Sequence, residues 1–356
     1  MSTETATGNA AKQLIDQTLV DFFDTSIQHA QRIDSNYGTL WQNLADLHKS
    51  GGKRIRPKIV LMAYKAFGGT DVAATVPIAC AQELLHFSML IHDDIIDRDT
   101  TRYGVDNISG RYEKLYAPYV HNTHDRTHYA NSAAIMAGDL MIAAAHKLIN
   151  ESSITNDLKI RAHTIMYRSI FDVVGGELLD TESSFRPIGS IDPLKITHFK
   201  TASYSFVGPL LTGASLAGAD DQQQSILRDF GIHLGIAYQL TDDLLGVFGD
   251  ESKTGKSCTS DIREGKRTYL IDKTIEHLSD DQAVVFHSTF GTHDANASDV
   301  ENIRQLIIST GAKAATEHAI NSYVDQAKQS LQSLSLDASS HAQFEELMYA
   351  ATKRNQ

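Results

Sequence analysis

The sequence is poor in proline, cysteine and positive charge. Six prolines in 356 residues leave few forced helix ends, which favours long helices. The two cysteines, Cys80 and Cys258, form no Cys-x-x-Cys pair, so neither a thiolate zinc site nor a disulfide framework is indicated. With 32 Lys and Arg against 44 Asp and Glu, the net charge of −12 argues against a nucleic-acid partner.

The sequence also shows no signal for secretion or for membrane insertion. Residues 1–17 are polar and lack the apolar core of a signal peptide. No uninterrupted apolar run approaches the ~18 residues of a spanning helix, and the nearest, residues 132–145, contains Asp139. We therefore expect a cytoplasmic protein with no transmembrane segment.

Apolar residues recur at three- and four-residue spacing along most of the chain, which is typical of amphipathic helices. Strong strand patterns are absent, and no Pro/Gly/Ser-rich linker divides the sequence. We predict an all-α protein, a single large helical bundle around a central cavity that occupies residues 1–356. Residues 1–10 are expected to be flexible and residues 112–130 to form an irregular insertion.

An acidic cluster ends one long apolar helix predicted over residues 72–98. Asp93 and Asp97 are four residues apart and share a helix face, with Asp94 beside them. Like charges this close are unfavourable by a few tenths of a kcal/mol per pair, about 0.2–0.5, when exposed and by more when buried. Divalent cations offset such repulsion, and Mg²⁺ takes one or two carboxylates together with substrate phosphates. A solvated helix end is the alternative.

A second acidic pair repeats this pattern later in the chain. Asp242 and Asp243 have apolar neighbours similar to those of Asp93 and Asp94. Two helices of one bundle could therefore direct both acidic ends into one cavity. A helical cavity with acidic ends and apolar walls suits a substrate with a diphosphate head and a hydrocarbon tail.

Basic residues in two segments supply complementary charge for a diphosphate. Residues 51–57 read GGKRIRP, and residues 253–267 are rich in Lys and Arg. Glycine lets backbone approach an anion closely, and Arg binds phosphate through paired hydrogen bonds. The second segment lacks the Gly-x-x-x-x-Gly-Lys spacing of a Walker loop.

Together these residues resemble the trans-type isoprenyl diphosphate synthases, and the matches follow that family's order from about residue 50 to residue 270. The matching segments are GGKRIRP at 51–57, ELLH at 83–86, HDDIID at 92–97, KT at 200–201, Gln239 with Asp242 and Asp243, and the lysines of GK at 255–256 and EGK at 264–266. The resemblance implies the all-α isoprenoid synthase fold and a homodimer.

The resemblance also implies a role for each matching residue. The diphosphate of isopentenyl diphosphate would be held by Lys53, Arg56 and His86. Two Mg²⁺ ions would be bound by Asp93 and Asp97, and a third by Asp242 with Asp243 nearby. The allylic diphosphate would be held by Arg102, Lys200, Lys256 and Lys266. The residues close to the reacting carbons would be Thr201 and Gln239.

The implied activity is a Mg²⁺-dependent, chain-elongating prenyl transfer. An allylic diphosphate (dimethylallyl, geranyl or farnesyl) ionises, isopentenyl diphosphate attacks the cation, and a proton is lost. The family's length rule concerns the position five residues before the first motif, where a bulky aromatic residue blocks the growing tail. Ser88 stands there, so we expect geranylgeranyl diphosphate. The alternatives are a farnesyl or longer-chain polyprenyl synthase, a non-catalytic subunit of a heteromeric synthase, and a terpene cyclase.

Two positions depart from the family's pattern. Tyr103 follows Arg102 where the family has a second arginine, and Arg54 or Arg98 is a candidate to compensate. Gly246 stands where the second acidic motif has a third aspartate, for which Asp250 is a distant substitute.

The expected insertion carries three histidines, His121, His124 and His128. They are interpreted as part of a solvated loop, with a metal site as the alternative.

Overall fold

The computed structural model describes residues 3–187, 189–249, 258–292 and 294–353, with side chains described from Ala10 onward. The prediction of an all-α protein is confirmed. In chain order the elements are α1 (Thr3–Ile33), α2 (Ser35–Ser50), α3 (Ile55–Ala66), α4 (Val72–Ile96), the short strands β1 (Thr101–Arg102) and β2 (Val105–Asp106), α5 (Ile108–Tyr116), α6 (Thr123–Glu151), α7 (Asn156–Ser183), α8 (Pro193–Ile196), a π-helix (Thr197–Val207), α9 (Gly208–Leu216), α10 (Asp221–Phe248), α11 (Ser260–Glu264), α12 (Tyr269–Ile275), α13 (Asp280–Thr289), α14 (Ala297–Ser309), α15 (Ala312–Gln332) and α16 (Ala338–Thr352).

Short polar side chains fix where the helices begin. Asp71 accepts a hydrogen bond from the backbone N–H of Ala74 at 3.0 Å and so caps α4. Asp220 and Gln223 form a reciprocal capping box at the start of α10. Both helices that end in acidic residues therefore have well-defined starts.

The expected irregular insertion at residues 112–130 is wrong for most of its length. The helix α5 extends to Tyr116 and α6 begins at Thr123, which leaves only residues 117–122 between them. Asn122 caps α6 by accepting a hydrogen bond from the N–H of Asp125 at 3.1 Å. Residues 123–129 at the start of α6 are polar or aromatic and mostly exposed, so they show no apolar periodicity; the buried, alanine-rich face that packs on α4 begins only at Ala130.

The chain divides into two compact units. Unit 1 comprises Met1–Met166 and Leu211–Ala219, and unit 2 comprises Tyr167–Leu210 and Asp220–Gln356. The expectation of a single domain stays a prediction.

The core of unit 1 is built around α4, whose middle is fully buried against α6 and α3. The core of unit 2 lies along α10 and includes a cluster around Phe286, which contains Val247 and Ile262.

Two helices have the length and composition of a membrane span, although neither contains a long uninterrupted apolar run. In α4 and α6 an 18-residue window reaches a mean hydropathy of 1.3. Of these windows, 72% and 50% respectively are buried inside the protein. Buried core helices meet the same test, so the two helices are weak evidence for a membrane span.

Candidate active site

The acidic end of α4 places three carboxylates within one turn. Asp97 follows the last helical residue, and its N–H donates to the carbonyl of Asp93 at 2.8 Å, so the two residues lie one turn apart as predicted. Asp97 is exposed and the side chain of Asp93 is 26% exposed, whereas Asp94 is only 2% exposed. The last turn thus presents two accessible carboxylates and encloses a third.

A tight hairpin brings Arg102 to this acidic end. The strands β1 and β2 pair antiparallel, and the turn residues Tyr103 and Gly104 both have positive φ, 57° and 76°. Nε of Arg102 donates to Oδ1 of Asp94 at 2.7 Å, and a terminal nitrogen lies 3.5 Å from Oδ2 of Asp93. Burial raises the pKa of Asp94 to about 6, against the opposing charge of Arg102. Arg102 is therefore the counter-ion of the buried acid.

Cationic groups surround His86 within unit 1. Burial lowers the pKa of His86 well below its ordinary value, and the guanidinium groups of Arg56, Arg102 and Arg54 lower it further. The imidazole is consequently neutral and lies in a positive field, as an anion site requires. Lys53, also predicted to bind a diphosphate, lies exposed in the segment before α3.

Arg54 is committed to the protein's own structure. Its guanidinium donates to Oε1 of Glu83 at 2.9 Å, to the carbonyl of Gly51 at 3.0 Å and to the carbonyl of His48 at 2.8 Å. This largely buried pair holds the segment that carries Lys53. These contacts therefore give no support to the expectation that Arg54 compensates for the arginine that is replaced by Tyr103.

Tyr103 packs against Gly51 of the basic segment. A Cβ atom on Gly51 would lie 2.5 Å from Cγ of the Tyr103 ring, so glycine is needed for this approach. Burial raises the pKa of Tyr103, which keeps the phenol neutral. Where the family has a second arginine, this chain has a ring packed on backbone.

In unit 2, Lys200 lies between two acids of α7. Its ammonium is 2.6 Å from Oδ2 of Asp180 and 2.9 Å from Oε2 of Glu177. The predicted site did not include these acids. Their spacing in the sequence could have indicated them, because acids three residues apart in an apolar stretch share a helix face.

The π-helix positions Lys200 and Thr201 between two glycines. A Cβ on Gly176 of α7 would lie 2.6 Å from the carbonyl carbon of Phe199 and 2.7 Å from Cα of Lys200. A Cβ on Gly235 of α10 would lie 2.5 Å from Cα of Ala202. Both neighbouring helices therefore approach the π-helix at backbone contact distance. Such widened turns occur frequently at functional sites.

A chain of hydrogen bonds runs from the π-helix to the second acidic pair. The hydroxyl of Thr201 donates to Oε1 of Gln239 at 2.9 Å, and Nε2 of Gln239 donates to Oδ1 of Asp243 at 2.8 Å. These bonds fix the orientation of the Gln239 amide, with its oxygen towards Thr201. The structure thus brings together three of the predicted site residues, Thr201, Gln239 and Asp243.

The two aspartates of the second pair have different environments. Asp242 is partly exposed, whereas Asp243 is 4% exposed, and burial raises the pKa of Asp243 to about 7. Burial by itself lowers the pKa of Lys266, but the charges of Asp261 and Asp243 raise it above its ordinary value. Lys266 is therefore charged beside this acidic group. Lys256 lies outside the described residues, as does Asp250.

The first acidic group fits Mg²⁺. Asp93 and Asp97 offer two accessible carboxylates one turn apart, and Oδ2 of Asp94 is buried without a hydrogen-bond partner among the described residues. Mg²⁺ uses one or two carboxylates and fills its other positions with water and substrate phosphates.

Histidine clustering at the start of α6 does not produce a metal site in the described part of the chain. Among the described residues no group of three or more His, Cys, Asp or Glu side chains could hold a metal ion by itself, so Mg²⁺ at the first acidic group would need substrate phosphates and water to complete its coordination. His124 and His128 lie on α6 instead of in a loop, and His121 lies just before it.

The fold and these residues define a class of protein: a helical protein whose acidic helix ends are paired with cations and suit Mg²⁺ and diphosphate. Comparison with known proteins agrees. The polyprenyl synthetase family matches residues 38–307. A geranylgeranyl diphosphate synthase of Sulfolobus acidocaldarius is 34% identical over 278 residues, which cover 77% of this chain and 78% of that protein.

Two further relatives cover most of the chain. A geranylfarnesyl diphosphate synthase of Aeropyrum pernix is 31% identical over 292 residues, covering 80% of this chain and 85% of that protein. The crystal structure of a geranylgeranyl pyrophosphate synthase from Corynebacterium glutamicum, in complex with isoprenyl diphosphate and magnesium, matches with a TM-score of 0.89. It is 30% identical and the match covers 97% of this chain and 98% of that chain.

The chain belongs to the polyprenyl synthetase family. It is an enzyme, a trans-prenyltransferase of the kind that condenses isopentenyl diphosphate with an allylic diphosphate, in a family that depends on Mg²⁺.

Gly176→Ala tests whether close approach to the π-helix positions Lys200 and Thr201. The new methyl group meets backbone atoms of residues 199 and 200, which must shift. We expect the condensation rate to fall at least about tenfold, because displacements near 1 Å have effects of this size.

Gly175→Ala is the matched control, because a Cβ there meets nothing within 4 Å. It should keep the wild-type rate, measured by product formation at saturating substrates. A Gly176→Ala protein as active as Gly175→Ala would contradict the role given to this contact.

Proposed function

We propose that the protein makes geranylgeranyl diphosphate by adding isopentenyl diphosphate to a shorter allylic diphosphate. The observation that carries the proposal is the pairing of buried acid and cation at the end of α4, where Arg102 holds Asp94 and leaves Asp93 and Asp97 accessible. The names of the relatives support this product class.

Isopentenyl diphosphate is assigned to the cationic group of unit 1. Arg56 and Lys53 supply charge for the diphosphate, and neutral His86 supplies a hydrogen bond. Arg54 holds the segment in place through Glu83. A terpene cyclase needs no second diphosphate site, so this group favours chain elongation.

The allylic diphosphate is assigned to the acidic groups and their cations. Asp93 and Asp97 would hold two Mg²⁺ ions and Asp242, with Asp243 behind it, a third. Bound Mg²⁺ supplies electrostatic stabilisation of the departing diphosphate. The cations proposed to hold that diphosphate are Arg102, Lys200, Lys256 and Lys266.

The reaction then needs little further protein chemistry. The allylic C–O bond breaks, the double bond of isopentenyl diphosphate attacks the allylic carbon, and a proton leaves the product, with the released diphosphate as base. Thr201 and Gln239 hold each other in one orientation, so their oxygens present fixed dipoles to positive charge. Apolar helix walls exclude the water that would quench the cation.

Ser88 is the residue on which the product length is argued. It is fully buried in α4, and its hydroxyl donates to the carbonyl of Gly138 on α6 at 2.8 Å. Serine is small, so this position lacks the bulky aromatic side chain that would block the growing tail. The expected product is therefore longer than farnesyl diphosphate.

The proposal is tested by incubating the full chain with isopentenyl diphosphate, Mg²⁺ and each allylic primer, then sizing the dephosphorylated products. We expect geranylgeraniol as the main alcohol, and Asp93→Ala should lower its formation by about a thousandfold. Asp125→Ala, at an exposed site on α6, should keep the wild-type rate. Cyclic hydrocarbons, or no product with any primer, would contradict the proposal.

Ser88→Phe should shorten the product to farnesyl diphosphate, whereas Ser88→Ala should keep the wild-type length. Because position 88 is fully enclosed, the thermal midpoint of each variant is measured first, and Ser88→Leu takes the place of Ser88→Phe if the latter does not fold. A folded Ser88→Phe enzyme with the wild-type product would refute the steric account.

We also propose that the protein is a cytoplasmic homodimer that uses an apolar stripe on α7. Four side chains at spacings of four, three and four residues are each more than half exposed: Tyr167, Phe171, Val174 and Leu178. A regular apolar stripe of this kind is suited to a facing helix. A second copy of the chain is the expected partner, because members of this family usually form homodimers.

Val174→Glu should dissociate the dimer, because it places a charge in the middle of the stripe. Sedimentation velocity should then give the mass of one chain instead of two. Val284→Glu is the control at another exposed apolar position, on α13, since Val174 is 55% and Val284 72% exposed. Equal masses for both variants would argue against this interface.

A further inference from the structure

Asn107 lies at the point where the hairpin that carries Arg102 joins α5. It is fully buried and caps α5, because its Oδ1 accepts a hydrogen bond from the backbone N–H of Gly110 at 2.9 Å. Capping uses only the oxygen of the amide. The nitrogen, Nδ2, donates to the backbone carbonyl of Asp99 at 2.8 Å, on the opposite side of the hairpin. One side chain therefore joins the first turn of α5 to the segment that enters the hairpin.

The segment that Asn107 holds is also attached to the acidic end of α4. The backbone N–H of Asp99 donates to the carbonyl of Asp94 at 2.8 Å. The carbonyl of the next residue, Thr100, accepts a hydrogen bond from the backbone N–H of Asn107 at 3.0 Å. A continuous path of hydrogen bonds thus runs from the first turn of α5, through the Asn107 amide, to the backbone of the buried acid.

Close backbone approach supports the same junction. A Cβ atom on Gly110 would overlap the carbonyl oxygen of Thr100 and would lie 3.2 Å from its carbonyl carbon. Both are main-chain atoms, so rotation of a side chain cannot relieve the contact. Glycine at position 110 therefore allows the first turn of α5 to pack directly against the segment that enters the hairpin.

The other end of the hairpin is attached to α5 as well. Nε of Arg111 donates to the backbone carbonyl of Asp106 at 2.9 Å. Arg102 lies between the two attachments, and the turn beside it contains Tyr103 with a φ of 57°. A bulky residue keeps this backbone conformation only where the surrounding structure imposes it. The attachments to α5 supply that support.

We propose that Asn107 is a positioning residue of the allylic diphosphate site, which acts through the hairpin backbone to place the guanidinium of Arg102 at the acidic end of α4. The inference rests on the proposed function, in which Arg102 binds the allylic diphosphate. Asn107 is fully enclosed, so it acts on the substrate only through these contacts. A cap alone could be supplied by serine or aspartate, whereas the second contact needs an amide, which carries both an acceptor and a donor.

Asn107→Ser separates the two contacts. Serine is still able to cap α5, but the carbonyl of Asp99 loses the amide donor. Asn122→Ser is the matched control, because Asn122 caps α6 through the same kind of hydrogen bond at an exposed position.

Gly110→Ala disturbs the same junction without changing Asn107. The added methyl group meets the backbone of Thr100, which must shift. Because alanine favours helix formation over glycine, this variant keeps the proposal testable if Asn107→Ser does not fold.

Two quantities are measured on the full chain. One is the KM of condensation for each of the two substrates. The other, which does not need turnover, is the affinity for inorganic pyrophosphate in the presence of Mg²⁺, obtained by calorimetric titration. The titration is repeated with each substitution combined with Arg102→Ala. Thermal midpoints without ligand verify that every variant folds.

We expect Asn107→Ser and Gly110→Ala each to raise the KM for the allylic diphosphate and to weaken pyrophosphate binding about tenfold, as displacements near 1 Å do. The KM for isopentenyl diphosphate should keep its wild-type value, because the ion pair of Arg54 and Glu83 holds that site separately. Combined with Arg102→Ala, either substitution should weaken binding by less than about twofold more, since the guanidinium through which it acts is missing.

An Asn107→Ser protein equal to Asn122→Ser would overturn the proposal. So would a full additional loss of binding when Asn107→Ser is combined with Arg102→Ala, because the two residues would then act independently. Failure of the proposed function would be seen separately, as a wild-type protein that binds no pyrophosphate in the presence of Mg²⁺, and this inference would fail with it.

Discussion

The rest of the site depends on one physical constraint, which is that carboxylates are buried at the ends of apolar helices. Burial alone disfavours an ionised acid, and this is why the pKa of Asp94 rises to about 6 and that of Asp243 to about 7. In each unit, a cation from a different segment offsets the free-energy cost of burying the ionised carboxylate. Arg102 arrives on a hairpin turn, and Lys266 follows a helix fixed by core packing.

The geometry of unit 2 follows from backbone contacts as much as from charge. Gly176 and Gly235 let two helices approach the π-helix more closely than any other residue type allows. Only then do Lys200 and Thr201 reach the acids of α7 and Gln239 of α10. The widened turn and the glycines are thus parts of one arrangement, in which packing determines where the polar groups meet.

Features with local spacing could be predicted from the sequence, and features that depend on tertiary contacts could not. Asp93 and Asp97 follow from a four-residue helical repeat. The hold of Arg102 on Asp94 depends on positive φ at Tyr103, and the contact of Lys200 with Asp180 joins residues of two different helices. The helical turns at residues 123–129 could not be predicted because their side chains are mostly polar and exposed and show no apolar periodicity.

Every role proposed for the acidic end of α4 requires that it bind diphosphate through a divalent cation. The most direct measurement is the thermal midpoint of the full chain with Mg²⁺ and inorganic pyrophosphate, added singly and together, in the wild-type protein and in Asp93→Asn. We expect the thermal midpoint to rise when both are present. Asp93→Asn should largely lose this rise, and Asp325→Asn, at an exposed site on α15, should keep it. A full rise in Asp93→Asn would contradict it.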